Sequence, residues 1–176
     1  MPLIDIAYKG DAFNPKNRSY VAALLLGELA FGGTSELYKR LYIQEQRVDL
    51  LQGSIPQNRD VALFEVVARV KKEEDISAIR DEVYKTIATF QTMPVGAQRL
   101  ADVKKRLKYD FLMDLDTPNK VAGGLAYTIA TTGGIEAIDD LYTEIGRVTP
   151  DDIINAAKRY FVPERRTVVI LKGTHP

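Results

Sequence analysis

Apolar and polar positions alternate from Leu3 to Lys9, with Leu3, Asp5 and Ala7 on one side and Ile4, Ile6 and Tyr8 on the other, which predicts a strand closed by Gly10-Asp11. The period then changes. Asn14 followed by Pro15 predicts a helix start, and Val21, Leu24, Leu25 and Leu29 recur at helical spacing as far as Gly32-Gly33, where a left-handed turn is expected to end the helix. A second helix follows, capped by the hydroxyl of Thr34 or Ser35, with Leu37, Tyr38, Leu41 and Tyr42 on one apolar stripe.

Short aliphatic runs from Arg47 to Ile55 and from Val61 to Val70, separated by Pro56-Gln57-Asn58-Arg59-Asp60, predict an antiparallel hairpin. The stretch Val61 to Ala68 is apolar on nearly both faces, so a central strand covered by helices is expected there. Everything from Asp75 to Phe161 reads as helix, broken at Pro94-Val95-Gly96, Thr117-Pro118 and Gly133-Gly134. Ile76, Ile79, Val83, Ile87 and Phe90 give one stripe; Leu100, Val103, Leu107 and Phe111 give another. Thr149-Pro150-Asp151-Asp152 combines a capping hydroxyl, a proline in the first turn and carboxylates at the positive helix end. Arg166 to Leu171 is the closing strand. This order predicts an α+β fold, a mainly antiparallel sheet packed against a layer of helices, as a single domain over residues 1–176.

Composition narrows the function. With 45% hydrophobic residues in 176, one substantial core is expected. Lys and Arg number 24, as do Asp and Glu, so the basic footprint of a nucleic-acid binder is missing and no nucleic-acid partner is expected. The longest apolar run, Val21 to Leu26, falls far short of the roughly 18 residues a membrane span needs, and Met1 to Ile6 lacks the pattern of a secretory leader. There is no cysteine, which removes disulfides, thiolate nucleophiles and cysteine metal sites but fits either redox compartment.

The one histidine is His175, in the tail Gly173-Thr174-His175-Pro176. Hydrolytic triads need an imidazole held rigidly, and a zinc site needs about three ligands, so neither chemistry is expected within this chain. The carboxylates Glu73-Glu74-Asp75, Asp114 with Asp116, and Asp139-Asp140 lack calcium-loop spacing and read as solvated helix ends. Gly32-Gly33-Thr34-Ser35 could offer amides to a phosphate, but no Gly-Lys-Ser/Thr follows, and a structural turn and cap is the stronger reading. Lys104-Lys105-Arg106 with Lys108 form a basic helix flank read as solvated, with Asp102 one turn before Arg106 as its expected pair. No catalytic residue and no metal ligand is therefore assigned, and binding residues are left unassigned.

The segment Phe31-Gly32-Gly33-Thr34-Ser35-Glu36-Leu37-Tyr38-Lys39-Arg40-Leu41, the helical middle, and Val148-Thr149-Pro150-Asp151-Asp152 running into Tyr160 to Val169 resemble the M16 (insulinase or pitrilysin-like) zinc peptidases, and more closely their second, non-catalytic C-terminal domain. The resemblance implies a fragment of a longer chain, or one subunit of two, that faces a zinc-bearing domain and encloses peptide substrate. Zinc would then belong to that partner and not to this domain. Zinc domains of the family carry an inverted HxxEH motif on the helix before a Phe-x-Gly-Thr turn; laid on Phe31 to Thr34, its positions hold Leu24, Leu25, Leu26, Gly27 and Glu28. Some partner domains contribute an arginine and, seven residues on, a tyrosine that hold substrate; here those positions are Tyr42 and Asp49. Arg40 and Arg47 are also seven apart, and are read as solvated charges. The resemblance also implies, for bacterial relatives, a periplasmic location. The alternative it leaves is a scaffold protein of M16 fold without peptidase activity, like the respiratory core subunits.

Overall fold

A computed structural model describes residues 1–173 apart from the side chain of Asp114. Strands β1 (Leu3–Lys9), β2 (Val48–Ser54), β3 (Leu63–Val70) and β4 (Arg166–Leu171) form one antiparallel sheet in the order β2-β3-β1-β4. The hairpin and both single strands lie where the sequence pattern places them.

The helices are α1 (Arg18–Phe31), α2 (Glu36–Tyr38) continued by a π-helical turn over Lys39–Gln44, α3 (Ile76–Thr92), α4 (Ala97–Asp114), α5 (Pro118–Thr132), α6 (Glu136–Arg147) and α7 (Pro150–Tyr160). Helix α1 is the centre of the layer, with every residue from Tyr20 to Phe31 buried except Leu24 and Glu28. It packs on β2 and is flanked by α7 and α6. Ile4, Ile6, Tyr8, Phe64, Val66, Ala68 and Val70 meet it from the sheet. Phe161, just past α7, brings rings from three elements together: its centroid is 5.0 Å from Tyr8, 4.8 Å from Phe64 and 6.4 Å from Phe31, all edge-on. The α3 stripe Ile76, Ile79, Val83, Ile87 and Phe90 is wholly buried, as its spacing predicts.

Four local expectations are corrected. Helix α1 begins at Asn17, whose side chain accepts from the Ser19 and Tyr20 amides; Asn14 instead accepts from Lys16, which turns the chain before the helix. Gly32 is extended (φ −68°, ψ 167°) and not left-handed; it is needed because a Cβ would meet the Glu28 carbonyl oxygen at 2.6 Å. The second stripe divides, since Leu37 and Leu41 are buried whereas Tyr42 is 39% exposed and stacks on Tyr38 at 4.6 Å. Strand β3 is central, yet helices cover one of its faces only: Phe64, Val66, Ala68 and Val70 are buried, while Leu63 and Arg69 are exposed.

Candidate functional site

Helix α1 carries the positions that a zinc domain would use, and its packing closes them. Leu24 is half-buried against the core. Gly27 stands at the glutamate position, where a Cβ would run into the carbonyl oxygen of Gly53 on β2 and touch the Phe64 ring at 3.6 Å. A Cβ on Gly53 would in turn overlap the Phe31 ring. Helix and strand therefore approach to backbone distance, which only glycine on both sides permits.

Glu28, at the last motif position, offers the one carboxylate. It accepts from Arg106 of α4 at 2.5 Å, and Arg106 also donates to the Thr34 hydroxyl at 2.7 Å and lies 3.9 Å from Asp110. Asp102 does not pair with Arg106; it accepts from Gln98 at 2.9 Å. The expected Asp102 pair gives way because α4 packs beside α1, whose Glu28 is nearer, and the in-helix carboxylate within reach is Asp110. One ion-paired carboxylate beside a leucine and a glycine is not a donor set that fits zinc.

The Gly32-Gly33-Thr34-Ser35 segment is a turn and cap. Ser35 is buried and accepts from the Tyr38 amide at 3.1 Å, while Thr34 is taken by Arg106. The basic flank of α4 is not simply solvated either. Lys104 donates to the carbonyl oxygens of Gly146 and Val148 at 3.0 and 2.6 Å, closing the end of α6, and burial lowers its pKa.

Arg40 and Arg47 also depart from the solvated reading. Arg40 reaches Glu82 of α3 at 2.5 Å, and its guanidinium holds that carboxyl below the ordinary value. Arg47 reaches Asp75 at 2.8 Å. At the two positions on which the M16 resemblance lays a substrate-holding pair, Tyr42 stacks on Tyr38, and Asp49 accepts from Arg69 at 2.6 Å. The carboxylate clusters are likewise engaged one by one: Asp116 with Lys120, Asp140 with Lys16, Glu73 with Lys172. Among the described residues no three His, Cys, Asp or Glu side chains converge as a metal group. His175 and the Asp114 side chain lie outside the described residues.

Two features escaped the sequence reading. The first is an ionic junction of three helices, where Arg18 of α1 pairs with the buried Glu144 of α6 and, at 3.3 Å, with Asp152 of α7. Asp152 also completes the Thr149 capping box; burial opposes its ionisation, but bonds from the Thr149 amide and hydroxyl and from Arg18 outweigh it and hold its pKa down. The second is the sheet face opposite the helices. Leu3, Ala7, Val67, Val169 and Leu171 line it together with Lys9, Glu65, Arg69 and Thr167, and at its middle sits Asp5, between Val67 on β3 and Val169 on β4. One Asp5 oxygen is shielded from solvent with no hydrogen-bond partner. An aspartate within a period-2 strand carries no local sign of that position.

No protein-family model and no curated protein matches the sequence. Solved structures do match. A protease from Helicobacter pylori superposes with a TM-score of 0.85 at 22% identity, covering 98% of this chain and 41% of that one. The inactive peptidase domain of a candidate zinc protease from Bordetella parapertussis gives 0.81 at 19%, covering 100% and 92%. The M16 peptidase inactive domain from Pseudomonas fluorescens gives 0.76 at 11%, covering 100% and 43%. This chain thus spans less than half of the first and third of these chains, and nearly all of the second.

Proposed function

We propose that this chain, which has the fold of M16 peptidase inactive domains, is the non-catalytic wall of a zinc peptidase and encloses peptide substrate opposite a zinc-bearing HxxEH domain. The observation that carries this reading is the closure of α1 on β2. A domain with the peptidase fold whose motif helix is sealed by Gly27 against Gly53, with its one carboxylate neutralised by Arg106, is built to be held rigid and not to hold a metal.

A wall contributes to catalysis without reacting groups by excluding water and fixing the substrate's orientation. The open sheet face, where aliphatic and charged side chains surround Asp5, is the surface suited to that task. A lone antiparallel sheet can leave one face to water, and this one sets Leu3, Val67, Val169 and Leu171 among Lys9, Glu65, Arg69 and Thr167.

The test combines the chain with the HxxEH-bearing domain encoded upstream of it or in a neighbouring gene. Peptide cleavage is expected only with both present, and is expected to disappear with a chelator. Zinc-dependent turnover by this chain alone would sink the reading. A stable complex of the two that cleaves no peptide would replace it with the scaffold role.

A further inference from the structure

Aspartate is among the residues least suited to a strand, yet Asp5 stands in the middle of β1, a central strand of the sheet. On the open face its lateral neighbours are Val67 on β3 and Val169 on β4. One of its carboxylate oxygens is shut off from solvent and accepts no hydrogen bond among the described residues. A shielded charge left without a partner costs stability and calls for an explanation.

The described residues supply no counter-ion for it. Arg69, one row away on the same face, donates to Asp49 at 2.6 Å, and Lys9 lies four residues along β1, about 13 Å away. Lys172 is held by Glu73. Arg166, whose register partner is Tyr8, belongs to the helix-covered face and lies 4.1 Å over the Tyr84 ring. Glu65, diagonal to Asp5 across β3, adds a second negative charge to the patch.

We infer that Asp5 anchors a basic side chain, lysine or arginine, of an extended peptide lying on the open sheet face. The inference rests on the reading of that face as the substrate wall, and it names the class of substrate the wall takes. Asp5 is half-buried, which leaves its carboxylate reachable from the open side. The methylene stem of the basic residue would lie on Val67 and Val169, and its charged head would compensate the carboxylate that the chain leaves unpaired. A bare metal cation is a poorer guest, since no three His, Cys, Asp or Glu side chains converge among the described residues. An acidic peptide would bring like charge against Asp5 and Glu65.

The experiment uses the full chain and three end-blocked pentapeptides, acetyl-Val-Thr-X-Thr-Val-amide with lysine, norleucine or glutamate at X, followed by backbone amide NMR shifts. The lysine peptide is expected to shift the amides of residues 4–6, Val67 and Val169. It should bind about tenfold more tightly than the norleucine peptide, as one partly shielded ion pair allows, with the gap narrowing at high salt. Asp5→Asn should bring the two peptides within about twofold of each other, and Glu65→Gln should keep most of the preference. Asp5→Val, which removes the unpaired charge and suits the strand, should raise the Tm by about 2–4 °C. Equal binding of lysine and norleucine, a preference that survives Asp5→Asn, an equal loss in Glu65→Gln, no binding, or a lower Tm in Asp5→Val would each overturn the inference. The wall reading is read separately, from cleavage by the chain assembled with its zinc-bearing partner. Cleavage that ignores the charge at X would overturn the role of Asp5 alone, whereas lysine-selective binding without any cleavage would overturn the wall and leave the preference standing.

Discussion

Gly27 of α1 and Gly53 of β2 meet at backbone contact: a Cβ on Gly27 would penetrate the Gly53 carbonyl oxygen, which a rigid strand in the sheet cannot yield. This backbone contact falls at the position on which the M16 resemblance lays the motif glutamate.

Gly27→Ala is therefore expected to destabilise the fold by about 2–3 kcal/mol, because backbone and not a flexible side chain must move. At this chain length that is a Tm fall of roughly 4–12 °C. The triple change Leu24→His, Gly27→Glu, Glu28→His, which writes the metal motif into the helix, should not produce a zinc site. Calorimetry with and without zinc checks it; zinc-dependent stabilisation of the triple variant would contradict the closure.

Arg106 joins α4 to α1 through Glu28 and to the turn through Thr34. Both charged partners are partly exposed, so screening limits the pair and Arg106→Ala should cost about 1 kcal/mol. A double-mutant cycle with Glu28→Gln should return a coupling of about 0.5–1 kcal/mol. Additive single effects would assign Arg106 to Thr34 alone.

Gln46 is the single non-glycine residue with positive φ among the described residues, at 52°. A side chain there strains the backbone, whereas glycine does not. Gln46→Gly is expected to leave stability unchanged or raise it by up to about 1 kcal/mol, the relief offsetting the added freedom of the unfolded chain. A midpoint in urea that falls with the substitution would show the turn to be unstrained.

Acid sensitivity follows from Glu82 and Asp152, whose carboxyls are held below their ordinary values of 4.5 and 3.8. A depressed folded pKa means that the unfolded chain binds the proton more tightly, so the stabilisation is present above the unfolded value and is lost as pH falls through the folded one. Urea midpoints should therefore decline below about pH 4.5. Glu82→Gln should flatten the upper part of that decline; an unchanged slope would remove Arg40 as its cause.

Much of this fold is written locally. Strand β1 occupies the residues that alternation marks, and α3 buries the five residues its period selects, because backbone geometry alone turns a period of two or 3.6 into a face. The start of α1 was displaced to the Asn17 cap by side-chain capping, which either Asn14 or Asn17 could have supplied. The partners of Arg40, Arg47, Lys104 and Arg106 were not legible. Each pairs across elements, and a carboxylate one turn away is no guide once a neighbouring helix brings another closer.

What the sequence determined by itself is the element order, the helix cap at Thr149, a hydroxyl cap at Thr34 or Ser35, and the poverty of reactive groups, since one terminal histidine and no cysteine constrain chemistry whatever the fold. Only the tertiary structure decided that Gly27 meets Gly53, that Arg106 neutralises Glu28 and that Arg106 takes Thr34 while Ser35 caps the helix. Periodicity acts through neighbours along the chain, but these relations depend on which elements pack together, and packing is settled by the burial of the whole core at once.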